Sequence, residues 1–308
     1  MQNLPDTFYT TAPDWTWWII PYFFIGGIAG GAMALGGFLH LVGRDADRPV
    51  IRLAYYVAFV GAVLSGLLLV VDLTRPLRFW HMLLQSETLR PMFKWWSPMS
   101  FGAWALLLFG LVAFLLMLGA LSDSGRVRSS MFRPLSRGIL AKLLAISGIL
   151  LGFFLAGYTG VLVSVTNRPV WADSNWLGML FLFSGASTGA ALLILLGGRD
   201  IAANTRERLS RFDDVALVLE LIVLVIFVVS LGAAARVFLG WWGILLVLGV
   251  VIAGILLPLA ISRGRVSRFA HPHAAAAGLV LIGGLLLRVV VLLSSESVHL
   301  AGGRVLGP

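Results

Sequence analysis

Residues 138–165 read GILAKLLAISGILLGFFLAGYTGVLVSV, and this stretch decides the fold. After Lys142 it carries no charge and no proline. A helix rises 1.5 Å per residue, so about 20 apolar residues cross the hydrocarbon core of a bilayer. This run is long enough to cross. Its most informative residues are Tyr158-Thr159-Gly160, a phenol with a small polar tail inside the apolar run. A phenol held there can meet a polar molecule dissolved in lipid.

The rest of the sequence follows the same pattern. It has 308 residues, of which 59% are hydrophobic and 12% charged. Soluble domains carry roughly a quarter charged residues. The net charge of +9 is therefore not a nucleic-acid signature. In membrane proteins Lys and Arg mark the cytoplasmic side. With no cysteine, the chain makes no disulfide, thiolate zinc site or cysteine-ligated iron–sulfur cluster of its own. It contains no Walker sequence and no HExxH.

Eight apolar runs predict eight spans: Thr16–Val42, Ile51–Asp72, Ser100–Leu121, Ile139–Val165, Asn175–Leu196, Val215–Val237, Trp241–Ile261 and Ala274–Leu293. They are too long and too continuous for the alternating strands of a barrel. The expected fold is an all-α integral membrane domain, residues 1–308, arranged as two four-helix bundles. Asp6 and Asp14 precede the first run and no basic segment does, so it reads as a retained helix. Its GGIAGGAMALGG face suits close helix packing.

Arginine is biased to alternate loops. Loops one, three, five and seven hold Arg44, Arg48 and Arg52; Arg126, Arg128, Arg133 and Arg137; Arg199, Arg206, Arg208 and Arg211; and Arg263, Arg265 and Arg268. The other side has Arg75, Arg78, Arg90 and Lys94 in its longest loop, then only Arg168, Arg236 and Arg304. The bias predicts both termini outside the cytoplasm. Trp15, Trp17, Trp18, Trp95, Trp96, Trp171 and Trp176 all fall on that outer side. They read as an aromatic belt, and in part as a docking surface.

Few residues in the spans carry chemistry. Tyr158 lies about 10 Å below the outer end of its helix. Glu220, in VALVLELIVLVIF, lies about 10 Å into the bilayer from the arginine-rich side. An ionisable group at that depth is costly, so a proton-carrying role competes with a neutral, hydrogen-bonded one. Ser184, Ser187 and Thr188 can extend a proton path from it, although such hydroxyls often bond their own helix backbone. Arg288 lies in the outer third of the last span, and either snorkels or pairs with an acid inside the bundle. Asp72 and Arg75 are one turn apart at the end of the second span. His81 follows them as a second proton carrier or a surface side chain. No histidine sits mid-span, although a haem bound inside a bundle usually takes axial histidines from facing helices.

Six segments occur together in order: PYFFIGGIAGGA at 21–32, VVDLTRPLRFW at 70–80, WWSPMSFGAW at 95–104, AGYTGVLVS at 156–164, LFLFSGASTGAAL at 180–192 and GGLLLRVVV at 283–291. With them the protein resembles the polysulfide-reductase membrane-subunit family, the NrfD-type proteins. The resemblance implies a membrane anchor that binds quinone or menaquinone and holds no haem or iron–sulfur centre itself. It also implies an iron–sulfur, ferredoxin-like partner subunit and a molybdopterin or other catalytic subunit beyond it. The setting is the bacterial cytoplasmic membrane. Electrons pass between the partner's clusters and the quinone, and proton translocation is proposed for some members.

The resemblance places Tyr158 at the quinone, with Asp72, Arg75, His81 and Arg288 as further candidates. Asp72 would exchange protons with the quinone head. Some members set a histidine and an asparagine of the first helix against the quinone. This protein has neither in PYFFIGG, and His40 lies at that helix's inner end. His81 or Asn175 would have to stand in. The alternatives are a secondary transporter and a b-haem cytochrome-type subunit.

Overall fold

The structure is a computed structural model that describes residue 15 and residues 17–127, 130–264 and 271–305. Asp6, Asp14, Thr16, Arg128, Arg265 and Arg268 lie outside the described residues, as do the side chains of Arg199 and Arg304.

The long helices are α1 (Ile19–Val42), α2 (Arg48–Asp72), α3 (Pro98–Asp123), α5 (Ile139–Ser164), α6 (Leu177–Gly197), α7 (Ala203–Ser230) and α10 (Pro272–Val305). A short α4 (Arg133–Ser136) precedes α5. Between α7 and α10 one rod is built from α8 (Trp241–Ile244), a π-helical stretch (Leu245–Leu256) and α9 (Leu257–Ser262). Among the described residues, seven helices are long and apolar enough to cross a membrane, or eight if one bent pair counts as a span.

That bent pair departs from the sequence reading. The apolar run was expected to continue to Val237. Instead α7 ends at Ser230, and the backbone turns by 109° into a 3₁₀ segment, Gly232–Leu239. Gly232 takes φ +55°, a left-handed conformation that glycine adopts without steric cost. The expected last span ended at Leu293, whereas α10 continues to Val305.

Helix starts follow local chemistry. Pro98 opens α3, where its missing N–H costs nothing, and the Ser97 hydroxyl accepts a hydrogen bond from Ser100 N at 3.4 Å. Pro49 does the same work in the first turn of α2.

Helix α1 is the hub. It packs on α2, α5, α6 and α10, while α2 and α5 each also pack on α3. In the second half, α6 packs on α7 and α10, and α10 packs on the π-helical rod. Glycine makes the central crossings close. A Cβ on Gly31 would overlap the Gly185 carbonyl, and one on Gly30 would stand 2.5 Å from the Gly152 carbonyl oxygen. Small residues at such contacts bring helix backbones together where lipid gives no hydrophobic drive.

Two tethers hold the helix ends. Asp47 is fully buried between the halves. It accepts hydrogen bonds from Arg44 N (2.7 Å), Thr205 Oγ1 (2.5 Å) and Arg208 Nη2 (2.5 Å). At the opposite end Trp171 is buried, stacks on Trp15 at 5.5 Å and donates to the Val291 carbonyl at 2.9 Å. Trp171 was expected in an interfacial belt, but it is core. Its ring fills the space between the loop after α5 and α10, and its N–H has a partner there.

Candidate functional site

Tyr158 stands near the end of α5, against the start of α3. Its hydroxyl donates to the Pro98 carbonyl at 2.7 Å, and its ring stacks on Phe154 at 5.3 Å. The side chain is 7% exposed. Gly102 makes room for it, since a Cβ there would overlap the phenol. Tyr22 of α1 is buried in the same core cluster. Tyr22 continues into Phe23 (5.2 Å) and Phe181 (6.2 Å), an aromatic path toward the bundle centre.

Phe181 carries the next group. The Arg288 guanidinium sits 5.1 Å from its ring centroid and 5.9 Å from that of Phe24. Arg288 is fully buried. Its Nη1 donates to Ser184 Oγ (2.6 Å) and to the Gly284 carbonyl (2.7 Å). Nε and Nη2 have no hydrogen-bond partner among the described residues. An unsatisfied buried donor costs about 1–3 kcal/mol. The aromatic faces offset part of this, at about 0.5–2 kcal/mol for a cation over a ring. Arg288 therefore faces inward and does not snorkel.

Glu220 on α7 is also buried and lies within electrostatic reach of Arg288, although the two are not within ion-pair distance. Ser184 stands between them, accepting from Arg288 and interacting with the Glu220 carboxyl. Two turns back along α7, Asp213 accepts a 2.6 Å hydrogen bond from Ser187 Oγ. Asp213 is buried and lies within electrostatic reach of Glu220. Thr188 spends its hydroxyl on its own helix, donating to the Ser184 carbonyl at 2.7 Å.

The candidates thus sort into groups. Arg288, Glu220 and Ser184 lie near one another, and Ser187 of α6 bonds Asp213, which shares a face of α7 with Glu220. Tyr158 forms a separate group with Tyr22 and the start of α3. Asp72 is half-buried at the last residue of α2. Arg75 is exposed. His81 bonds the Arg78 carbonyl through Nδ1 at 3.0 Å and stacks on Trp80 at 3.8 Å. Asn175 is exposed in the loop before α6. His40 bonds the Tyr55 hydroxyl at 2.8 Å, at the end of the fold opposite Tyr158.

Sequence reading missed Tyr22 and Asp213. Tyr22 sits among aromatics and reads as packing. Asp213 sits at the edge of a charged segment and reads as loop. The detectable signal for Asp213 was its two-turn spacing from Glu220, which puts both acids on one helix face.

These features define a multi-pass helical membrane protein with a buried arginine and a buried glutamate in its interior and a phenol at the end opposite the arginine-rich loops. The family model described as "Polysulphide reductase, NrfD" matches residues 6–298, and the protein belongs to that family. It is 29% identical to protein NrfD of Escherichia coli (strain K12), over 94% of its own length and 98% of that relative. It is 27% identical to the C component of the polysulfide reductase of Wolinella succinogenes, over 92% of its own length and 94% of the relative. The C component of the selenate reductase of Mesobacillus selenatarsenatis is 24% identical, over 61% of this protein and 48% of the relative.

Proposed function

We propose that this protein is the quinone-reactive membrane subunit of a multi-subunit oxidoreductase in the bacterial cytoplasmic membrane. The carrying observation is Tyr158, a buried phenol placed against the start of α3 in a member of this family. Two relatives are named as one lettered component of a reductase, which supports partner subunits here as well. The partners are an iron–sulfur subunit and a catalytic subunit beyond it.

Tyr158 offers one O–H donor. Its present acceptor, Pro98, is the first residue of α3, so that carbonyl also serves the helix ladder. The phenol can therefore turn to a quinone carbonyl without orphaning its old acceptor. A hydrogen bond there polarises the carbonyl and favours the reduced form. Two electrons from the partner and two protons convert quinone to quinol, and the reverse releases them. Asp72 takes or supplies protons at the same end of the fold, where α2 closes, and Arg75 and His81 line its approach. Arg288 supports the site from the bundle interior, along the Phe181–Phe23–Tyr22 path.

Protons from the arginine-rich side would pass Asp213 with Ser187, then Glu220 with Ser184, with Thr188 lining the route. Glu220→Gln should then lower proton uptake per electron. The contacts of α1, α2, α3 and α5, and of α6, α7, the π rod and α10, support two four-helix bundles, and the arginine bias of the loops supports both termini outside. Trp17, Trp18, Trp95 and Trp96 are exposed at the Tyr158 end and suit a docked partner. A second reading, secondary transport, draws on the 109° break after α7, because transporters use broken helices.

Purification with the neighbouring subunits separates the two. Quinone-dependent turnover with iron–sulfur signals from a co-purifying partner is expected. Solute uptake by this protein alone in vesicles would overturn the reading.

A further inference from the structure

The arginine-rich end holds two adjoining cavities that the quinone account does not use. The first, about 430 Å³, lies where α1 ends and α2 begins, beside α3 and α4. Its floor is the His40–Tyr55 pair, and its apolar wall includes Leu39, Ile51, Leu116 and Leu135. Arg44, Arg48 and Arg52 line it. The second, about 410 Å³, lies against the start of α7 and is lined by Arg44, Arg208 and Arg211. Arg44 belongs to both.

Ion pairing separates these arginines. Arg48 is held by Asp45 (2.8 Å) and Asp123 (2.7 Å). Arg208 is held by Asp47, and Arg211 by Glu207 (2.6 Å). Arg44 and Arg52 have no carboxylate partner among the described residues. Arg52 reaches only the Arg48 carbonyl, at 3.4 Å. One cation without an acid thus stands at the boundary of the two cavities, and another lies inside the first. Guanidinium groups bind phosphate through paired N–H bonds. Basic pockets at the ends of membrane helices lie at head-group level, where anionic lipid is concentrated. The apolar wall of the first cavity suits the glycerol and upper acyl region of a lipid, which a free anion does not need.

We propose that these cavities together bind the head group of an anionic phospholipid with two phosphates, one in each cavity, with Arg44 between them. The site is independent of the quinone reading, because it is tested by binding alone. The full-length protein, in mild detergent, is titrated with diphosphatidylglycerol, phosphatidylglycerol and inorganic phosphate, and bound lipid is read by native mass spectrometry. The two-phosphate lipid should be retained at about tenfold lower concentration than the one-phosphate lipid, the ratio expected for roughly one further ion pair. Arg44→Gln should remove that preference, and Arg52→Gln should weaken both lipids. Arg236→Gln, at the other end, should change neither. Equal retention of the two lipids overturns the proposal, as does an unaltered preference in Arg44→Gln. Binding of inorganic phosphate as tight as lipid, lost in Arg44→Gln, would mark a free-anion site and overturn it too.

Discussion

Tyr158 Oη donates a 2.7 Å hydrogen bond to the Pro98 carbonyl and so fixes the end of α5 to the first residue of α3. The fit depends on Gly102, one turn further along α3. Gly102→Ala would drive a methyl into the phenol. Overpacking of this kind costs about 1–3 kcal/mol. The variant should melt at a lower temperature and lose quinone-linked turnover, because Tyr158 is pushed from its place. A variant that melts and turns over as the parent does would show that the phenol's position is not critical.

Arg288 and Glu220 form the second centre. Arg288→Met leaves a buried carboxyl without its facing cation, and Glu220→Gln leaves the cation without its acid. Each single change should destabilise the protein, and the double variant should be better than the sum by about 1–3 kcal/mol. Thermal unfolding in detergent completes the cycle. Strict additivity would mean that the two groups do not act on each other.

Asp47 joins α1 and α2 to α7 through Thr205 and Arg208. Asp47→Ala strands the buried Thr205 hydroxyl, at a cost of about 1–3 kcal/mol, and frees the half-exposed Arg208 to water. Its melting point should fall while turnover of the folded fraction stays near the parent value. A turnover loss as large as that of Gly102→Ala would instead tie the tether to the chemistry.

Trp95 and Trp96 are 74% and 66% exposed and pack edge to face on each other at 5.8 Å. Exposed tryptophans of this kind commonly anchor protein interfaces, and removing one costs about 2 kcal/mol or more of binding. The double alanine variant should lose partner co-purification without a change in its own melting point. Full retention of the partner would place the docking surface elsewhere.

The spans were legible because uninterrupted apolar runs have one solution in a bilayer. The first half of α7 was not. Its charged residues, Arg206 to Asp214, read as a loop, yet they continue the helix, and that hid Asp213 as the partner of Ser187. The bend at Leu231–Gly232 was equally hidden, since hydropathy continues smoothly through it and only backbone geometry breaks. Tyr158 stood out as a phenol in an apolar helix, whereas Tyr22 was masked by its aromatic neighbours. Arg288 was legible as a charge within a span, but whether it snorkels or turns inward depended on helix order. Ser184 receives its guanidinium only because α6 and α10 pack together, whereas Gly284 lies one turn back on α10 itself.

The most direct test is Tyr158→Phe in the assembled complex, with quinone-linked turnover measured at limiting and saturating quinone. The ring and its stack on Phe154 are kept, and the lost bond to Pro98 costs the fold only about 0.5–1.5 kcal/mol. The account predicts intact assembly with turnover reduced about 10–100-fold, the loss expected for a polar contact of about 1.5–3 kcal/mol to the reacting head. Parent turnover at both quinone concentrations would contradict it and remove Tyr158 from the site.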